Sequence, residues 1–103
     1  MLSNNSNQLI PESYQLFQNY PNPFNPNTKI MYNIPEEQFV KIVIYDMLGR
    51  KVKTLVNKMQ RAGLKTINWN GLDDHNKKLP SGLYLYYLQS GSFKETKKML
   101  FLK

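Results

Sequence analysis

Apolar residues recur with a period of two through most of this chain. Lys29-Ile30-Met31-Tyr32-Asn33-Ile34 places Ile30, Tyr32 and Ile34 on one face, the mark of a half-buried strand. Phe39 to Tyr45 is β-branched or aromatic almost throughout. Val40, Ile42 and Ile44 make its inner face, and Val43 with Tyr45 on the other face predicts a central or covered strand. Asp46-Met47-Leu48-Gly49 follows, with Asp first and Gly fourth, the preference of a type I turn with a bulged glycine. Lys51 to Val56 is expected to pair back, but Val52 and Leu55 fall on opposite faces. A bulge or an early end is therefore expected there. Asn57 to Ala62 is polar and basic and reads as a break. Lys65 to Trp69 turns Ile67 and Trp69 inward. Leu83 to Leu88 is apolar on both faces and predicts another central strand. Phe93 to Leu102 closes the chain, with Met99 and Phe101 alternating with Leu100 and Leu102, so the terminus is not expected to fray.

Turn signals separate these runs. Pro35-Glu36-Glu37 closes one strand. Asn70-Gly71 opens a loop through Asp73, Asp74, His75 and Asn76 to Pro80, and Ser90-Gly91 is a tight turn. The most distinctive connector is Asn19-Tyr20-Pro21-Asn22-Pro23-Phe24-Asn25-Pro26-Asn27-Thr28, entered from a short candidate strand at Tyr14 to Gln18. Prolines at every second or third position exclude helix and force stiff, extended geometry. Tyr20 and Phe24 are both expected to pack inward as aromatic anchors. No segment has helical periodicity, and turns recur at intervals of about 8 to 12 residues. The fold class expected is all-β, an immunoglobulin-like antiparallel β-sandwich of about seven strands, with Trp69 near its centre.

A chain of 103 residues fits one such domain. The division expected is a polar linker over residues 1–13 and the sandwich over residues 14–103. Met1 to Gln8 lacks the pattern of a signal peptide, and its Asn/Ser-rich character is that of a linker from a longer chain. There is no cysteine, so packing alone must hold the fold, and no compartment is excluded. No apolar run approaches the roughly 20 residues of a membrane-spanning helix, and no membrane insertion is expected. The net charge of +7 admits two readings. One is an acidic partner. The other is a set of solvated lysines that protect strand edges. The lysines are scattered, with pairs only at Lys77-Lys78 and Lys97-Lys98, which favours the second reading and argues against nucleic acid.

Candidate chemistry is sparse. His75 beside Asp73 and Asp74 has metal-binding residue types, but these residues are also common in turns for conformational reasons. The adjacent pairs Glu36-Glu37 and Asp73-Asp74 point apart, whereas catalytic carboxylates face each other across a cleft. Glycines occur one per turn and form no phosphate cradle. Alternating aromatics read as core before they read as a stacking platform for sugars or bases. The residues therefore point to no enzyme, no metal site and no cofactor.

Five blocks resemble, in order, the type A C-terminal sorting domains of the type IX secretion system, which are similar to the immunoglobulin-like domain of the flagellar hook-capping protein. The first is Gln18-Asn19-Tyr20-Pro21-Asn22-Pro23-Phe24-Asn25-Pro26. Next come Ile44-Tyr45-Asp46 with Gly49, Trp69-Asn70-Gly71 and Ser81-Gly82-Leu83-Tyr84. Thr96-Lys97-Lys98-Met99 near Lys103 is the last. Asn70 stands where the family more often has Asp, and it suits the turn equally well. The resemblance spans Tyr14 to Lys103. It implies a non-catalytic sorting signal that directs a larger secreted protein of Bacteroidetes or related phyla through the periplasm and across the outer membrane. The implied partners are the outer-membrane machinery, an upstream cargo domain and, in many members, a sortase-like protease, whose cut would fall in the exposed linker before Tyr14.

The candidate recognition residues are Lys97, Lys98, Met99, Leu100, Phe101, Leu102 and Lys103, on the last strand and its hairpin. They would meet an acidic receptor or add a partner strand at an edge, or else the lysines only protect that edge. The signature residues Tyr20, Pro21, Asn22, Pro23, Phe24, Asn25, Pro26, Tyr45, Asp46, Gly49, Trp69, Gly71, Gly82 and Tyr84 are assigned structural roles. The rival reading is a structural or carbohydrate-binding immunoglobulin-like module with no sorting role. Oligomeric state is left open by the residues.

Overall fold

A computed structural model of the chain describes residues 9–103; most of the lead-in assigned to a linker lies outside the described residues. Seven strands form in order: β1 (Gln15–Leu16), β2 (Thr28–Ile34), β3 (Gln38–Asp46), β4 (Lys51–Gln60), β5 (Gly63–Trp69), β6 (Gly82–Ser90) and β7 (Phe93–Phe101). They build two antiparallel sheets, β1-β2-β5 and β4-β3-β6-β7, and among the described residues there is no helix. This is the expected all-β sandwich.

Period-two alternation decides which side chains meet between the sheets. Ile30, Tyr32 and Ile34 from β2 face Val40, Ile42 and Ile44 from β3 and Tyr84, Tyr86 and Leu88 from β6. Both strands that are apolar on two faces, β3 and β6, are interior to the larger sheet. Trp69 is buried as expected, but it fills one end of the core, against Phe24, Tyr84 and Phe101, and not its centre. Its indole N–H donates to the Leu72 carbonyl at 2.9 Å, and its ring lies edge-on to Tyr84 at 5.7 Å. Ile67 is only half-buried but packs on the same cluster.

The β3–β4 turn forms around Asp46. Its carboxylate accepts the backbone N–H groups of Leu48 and Arg50, both at 2.9 Å, while Gly49 takes φ +85°. Two register shifts, at Ile42/Val43 and Ile44/Tyr45, are the expected bulges. They let Val52 and Leu55 both reach the core despite their opposite parity. The end of this strand differs from expectation, because β4 runs on through the polar Asn57–Gln60 stretch. Ladder hydrogen bonds to β3 do not depend on apolar side chains, and β4 is an edge where polar residues meet water.

The first strand is shorter than expected, with only Gln15 and Leu16 paired in register. Beyond it the chain is drawn towards a buried phenol. The Tyr86 hydroxyl donates to the Phe17 carbonyl at 2.7 Å and accepts the Asn19 N–H at 2.8 Å. The expectation for the connector is half corrected. Phe24 is buried at 1 % exposure, whereas Tyr20 is 80 % exposed. Tyr20 bridges to Lys29 through its backbone, and strand alternation then turns Asn19 inward and Tyr20 outward. Asn19 is the second anchor in its place. Its amide N–H2 donates to the Pro21 carbonyl and to Thr28 Oγ1, at 3.0 and 2.9 Å.

Candidate recognition surface

The connector and the C-terminal strand form one structure. β7 is an edge of the larger sheet, and its alternate residues Lys94, Thr96, Lys98 and Leu100 turn their backbone groups away from β6. The Pro/Asn connector takes up the C-terminal half of that edge. The Gln18 side-chain amide donates to the Lys98 carbonyl at 2.7 Å, and the Leu100 N–H donates to Asn22 Oδ1 at 2.9 Å. The Phe24 N–H donates to the Leu100 carbonyl and the Leu102 N–H to the Phe24 carbonyl, both at 3.0 Å. The bridge is parallel, and the Phe24 and Phe101 rings stack 4.9 Å apart. The Tyr20-Pro21, Asn22-Pro23 and Asn25-Pro26 peptides are all cis along this path, and Asn25 and Pro26 remain exposed beside Gly71 and Lys103.

Gly71 is required at the same end. It has φ +79°, and a Cβ there would stand 2.9 Å from the Phe101 ring. Gly82 opens β6 opposite Phe101, and the Tyr84 hydroxyl donates to the Pro80 carbonyl at 2.6 Å. The scattered signature blocks thus converge on one end of the sandwich, apart from Tyr45, which lies half-buried on the outer face of β3.

The candidate recognition residues are close in space but differ in access. Met99 and Phe101 are core residues, at 1 % and 4 % exposure. Lys97 is half-buried and pairs with Glu95 at 3.4 Å. Lys98 is exposed on the outer face. Leu100 is half-buried there and Leu102 is exposed, while the Lys103 N–H donates to Ser81 Oγ at 2.9 Å. A folded domain therefore presents Lys98, Leu100, Leu102 and Lys103, and uses Met99 and Phe101 to hold them. Gln18, Asn19 and Asn22 carry much of this arrangement and have no apolar signal; only their place among the prolines marks them.

Electrostatic perturbations are tied to the turns and the core. Asp46 is held below the usual carboxylate range, first by the Arg50 backbone N–H and further by its guanidinium, with Nε at 2.8 Å from Oδ2. Asp73 is lowered chiefly by the Lys77 N–H, and its Oδ1 also accepts the His75 N–H at 2.8 Å. Asp74 accepts the Thr54 N–H at 3.1 Å, so this loop clasps the β4 edge. Among the described residues no three His, Cys, Asp or Glu side chains gather as metal ligands. Burial pushes the Tyr86 phenol up to about 12 and raises Tyr32, whose hydroxyl donates to Gln60 Oε1 at 2.7 Å.

Residues 18–102 match the family model of the secretion system C-terminal sorting domain. The chain belongs to that family. The sorting domain also shares its fold with solved structures. Dimeric latent PorU from Porphyromonas gingivalis superposes with a TM-score of 0.68 at 21 % identity, covering 86 % of this chain and 9 % of PorU. PorZ, a surface component of the type IX secretion system of the same organism, gives 0.57 at 15 % identity, over 89 % of this chain and 12 % of PorZ. FlgD from P. aeruginosa gives 0.57 at 25 % identity, over 72 % of this chain and 58 % of FlgD. The sorting domain therefore spans about a tenth of PorU and PorZ. No curated protein matches it. Its family is one of non-catalytic sorting signals for type IX secretion, carried by secreted or cell-surface proteins.

Proposed function

We propose that the domain acts as a folded address label. It directs an upstream cargo from the periplasm across the outer membrane, and the machinery reads its surface without unfolding it. The observation that carries this reading is the clasp between the connector and β7. The first and last signature blocks form one physical unit, so the sorting information belongs to the fold and to what it displays. Lys98, Leu100, Leu102 and Lys103 are the accessible part of the candidate recognition strand. Residues 1–13 serve as the linker, and a sortase-like protease cuts there, ahead of the sandwich over residues 14–103. The domain itself performs no catalysis.

The test is a fusion of this domain behind a signal peptide and a reporter in a type IX-competent host. The reporter is expected on the surface or in the medium; retention in the periplasm refutes the sorting role. Lys98→Glu with Lys103→Glu tests the strand. Deleting Met99 to Lys103 does not, because it removes two core side chains.

A carbohydrate-binding module is the second reading, favoured by one observation. The exposed Tyr20 ring stands with Asn27, Lys29 and Asn68 around a shallow depression, a stacking platform with polar neighbours. Under that reading Tyr20→Ala abolishes polysaccharide binding, measured by affinity electrophoresis, and the wild-type fusion is not exported.

A further inference from the structure

The outer face of the four-stranded sheet has a charge pattern that the sorting role leaves unused. Residues directly opposite in an antiparallel ladder share a face, so the register maps it row by row. Lys51, Tyr45, Leu85 and Lys98 form one row across β4, β3, β6 and β7. Thr54, Val43, Tyr87 and Thr96 form the next, and Asn57, Lys41, Gln89 and Lys94 the third. Leu83 with Leu100 flanks one end, and Met59 with Phe39 the other. Among the described residues no strand of the second sheet covers this face.

The centre is apolar and aromatic: Val43 is buried, and Tyr45, Leu85 and Tyr87 are half-buried. Lys41, Lys51, Lys94 and Lys98 surround it, all exposed, and none of the row positions is Asp or Glu. The lysines lie roughly 13 Å apart along the strands and 10 to 14 Å apart across them. The outer face of the other sheet differs. Its ladder positions are Gln15, Lys29, Met31, Asn33, Leu64, Thr66 and Asn68, with a single lysine, and the exposed Tyr20 ring stands beside that lysine at one end. Four of the fourteen basic residues thus stand exposed on this one face with no carboxylate among its row positions.

We propose that this face is a docking surface for the acidic surface of a folded protein partner. The inference rests on the sorting reading and gives the chemistry of its receptor. An aromatic centre within a charged rim is the anatomy of a protein interface, with the rim setting encounter and register. A lipid surface suits it less well. Val43 is buried and Tyr45, Leu85 and Tyr87 are half-buried, so the centre exposes little apolar side chain for insertion beneath headgroups. The face also accounts for the split among the C-terminal lysines: Lys98 belongs to the rim, and Lys97 is tied to Glu95 on the opposite side of β7.

The test is site-specific photocrosslinking in the exported reporter fusion, with a benzophenone side chain at Thr96 on this face or at Thr66 on the other. A protein crosslink through an acidic segment is expected from Thr96 and not from Thr66. Lys41→Glu with Lys98→Glu should lower its yield by about tenfold. Lys41→Gln with Lys98→Gln should lower it less, and Lys29→Glu should leave it unchanged. Thermal melts check that each variant folds, and the Gln pair decides the matter where the Glu pair does not. Equal crosslinking from both faces, or a yield indifferent to these charges, overturns the proposal. So does salt-dependent co-sedimentation of the purified chain with phosphatidylglycerol vesicles through the same lysines, which assigns the face to lipid. Export without a Thr96 crosslink sinks the face and leaves the sorting role standing; a retained wild-type fusion sinks the sorting role itself.

Discussion

Removing one oxygen should loosen the whole connector. The Tyr86 side chain is fully buried, and its hydroxyl serves two backbone groups, the Phe17 carbonyl and the Asn19 N–H. Tyr86→Phe keeps the ring and creates almost no cavity, but strands both groups. Asn19 is 2 % exposed, so its N–H has no access to water, whereas Phe17 is half-buried and its carbonyl recovers some hydration. An unsatisfied buried donor costs about 1–3 kcal/mol and a partly rehydrated acceptor less, which together predict a loss of roughly 2–3 kcal/mol. Urea unfolding followed by tryptophan fluorescence reads it directly, since Trp69 is the single indole. With a slope of about 1.5 kcal/mol/M the midpoint falls by roughly 1.5–2 M. A loss under about 0.5 kcal/mol would refute the argument that these bonds hold the connector. The pH dependence gives an independent check. The folded phenol is pushed up to about 12. Its contribution is therefore complete below the unfolded value near 10 and is lost as pH rises through 12, by at most roughly 2–3 kcal/mol. The gap between wild type and Tyr86→Phe should narrow over that window. Slopes common to both proteins, including those from Tyr32 and Tyr84, cancel in the difference.

Three further outcomes follow from the same geometry. Phe24→Ala removes a buried ring stacked on Phe101 and should cost about 3–5 kcal/mol, while Tyr20→Ala should stay within about 0.5 kcal/mol, both by urea unfolding. Gly71→Ala drives a Cβ against the Phe101 ring in a left-handed backbone and should cost about 2–4 kcal/mol, by thermal melting. Asp46→Ala should destabilise at neutral pH by opening the β3–β4 turn. Because the folded Asp46 carboxyl titrates low, its contribution is present above about pH 4 and is lost as pH falls through the folded value. Melts of the two proteins should converge in acid.

Most of the strand content was legible because alternation and turn chemistry are local. The inner faces of β2 and β3, the central place of β6 and the Asp46–Gly49 turn all follow from residues read in order, whereas Met99 and Phe101, read as recognition residues, are core. The ordered motifs also carried the family, since each block keeps its own spacing. Three features depended on partners far along the chain. Tyr20 and Phe24 look alike as aromatic anchors, and only the backbone bridge to Lys29 turns one out while the stack on Phe101 draws the other in. β4 reads as ending at Val56, yet β3 supplies ladder partners as far as Gln60. The lysines look scattered along the chain. Pairing of β4, β3, β6 and β7 sets Lys41, Lys51, Lys94 and Lys98 around one aromatic centre, because cross-strand neighbours are chosen by register and not by sequence distance.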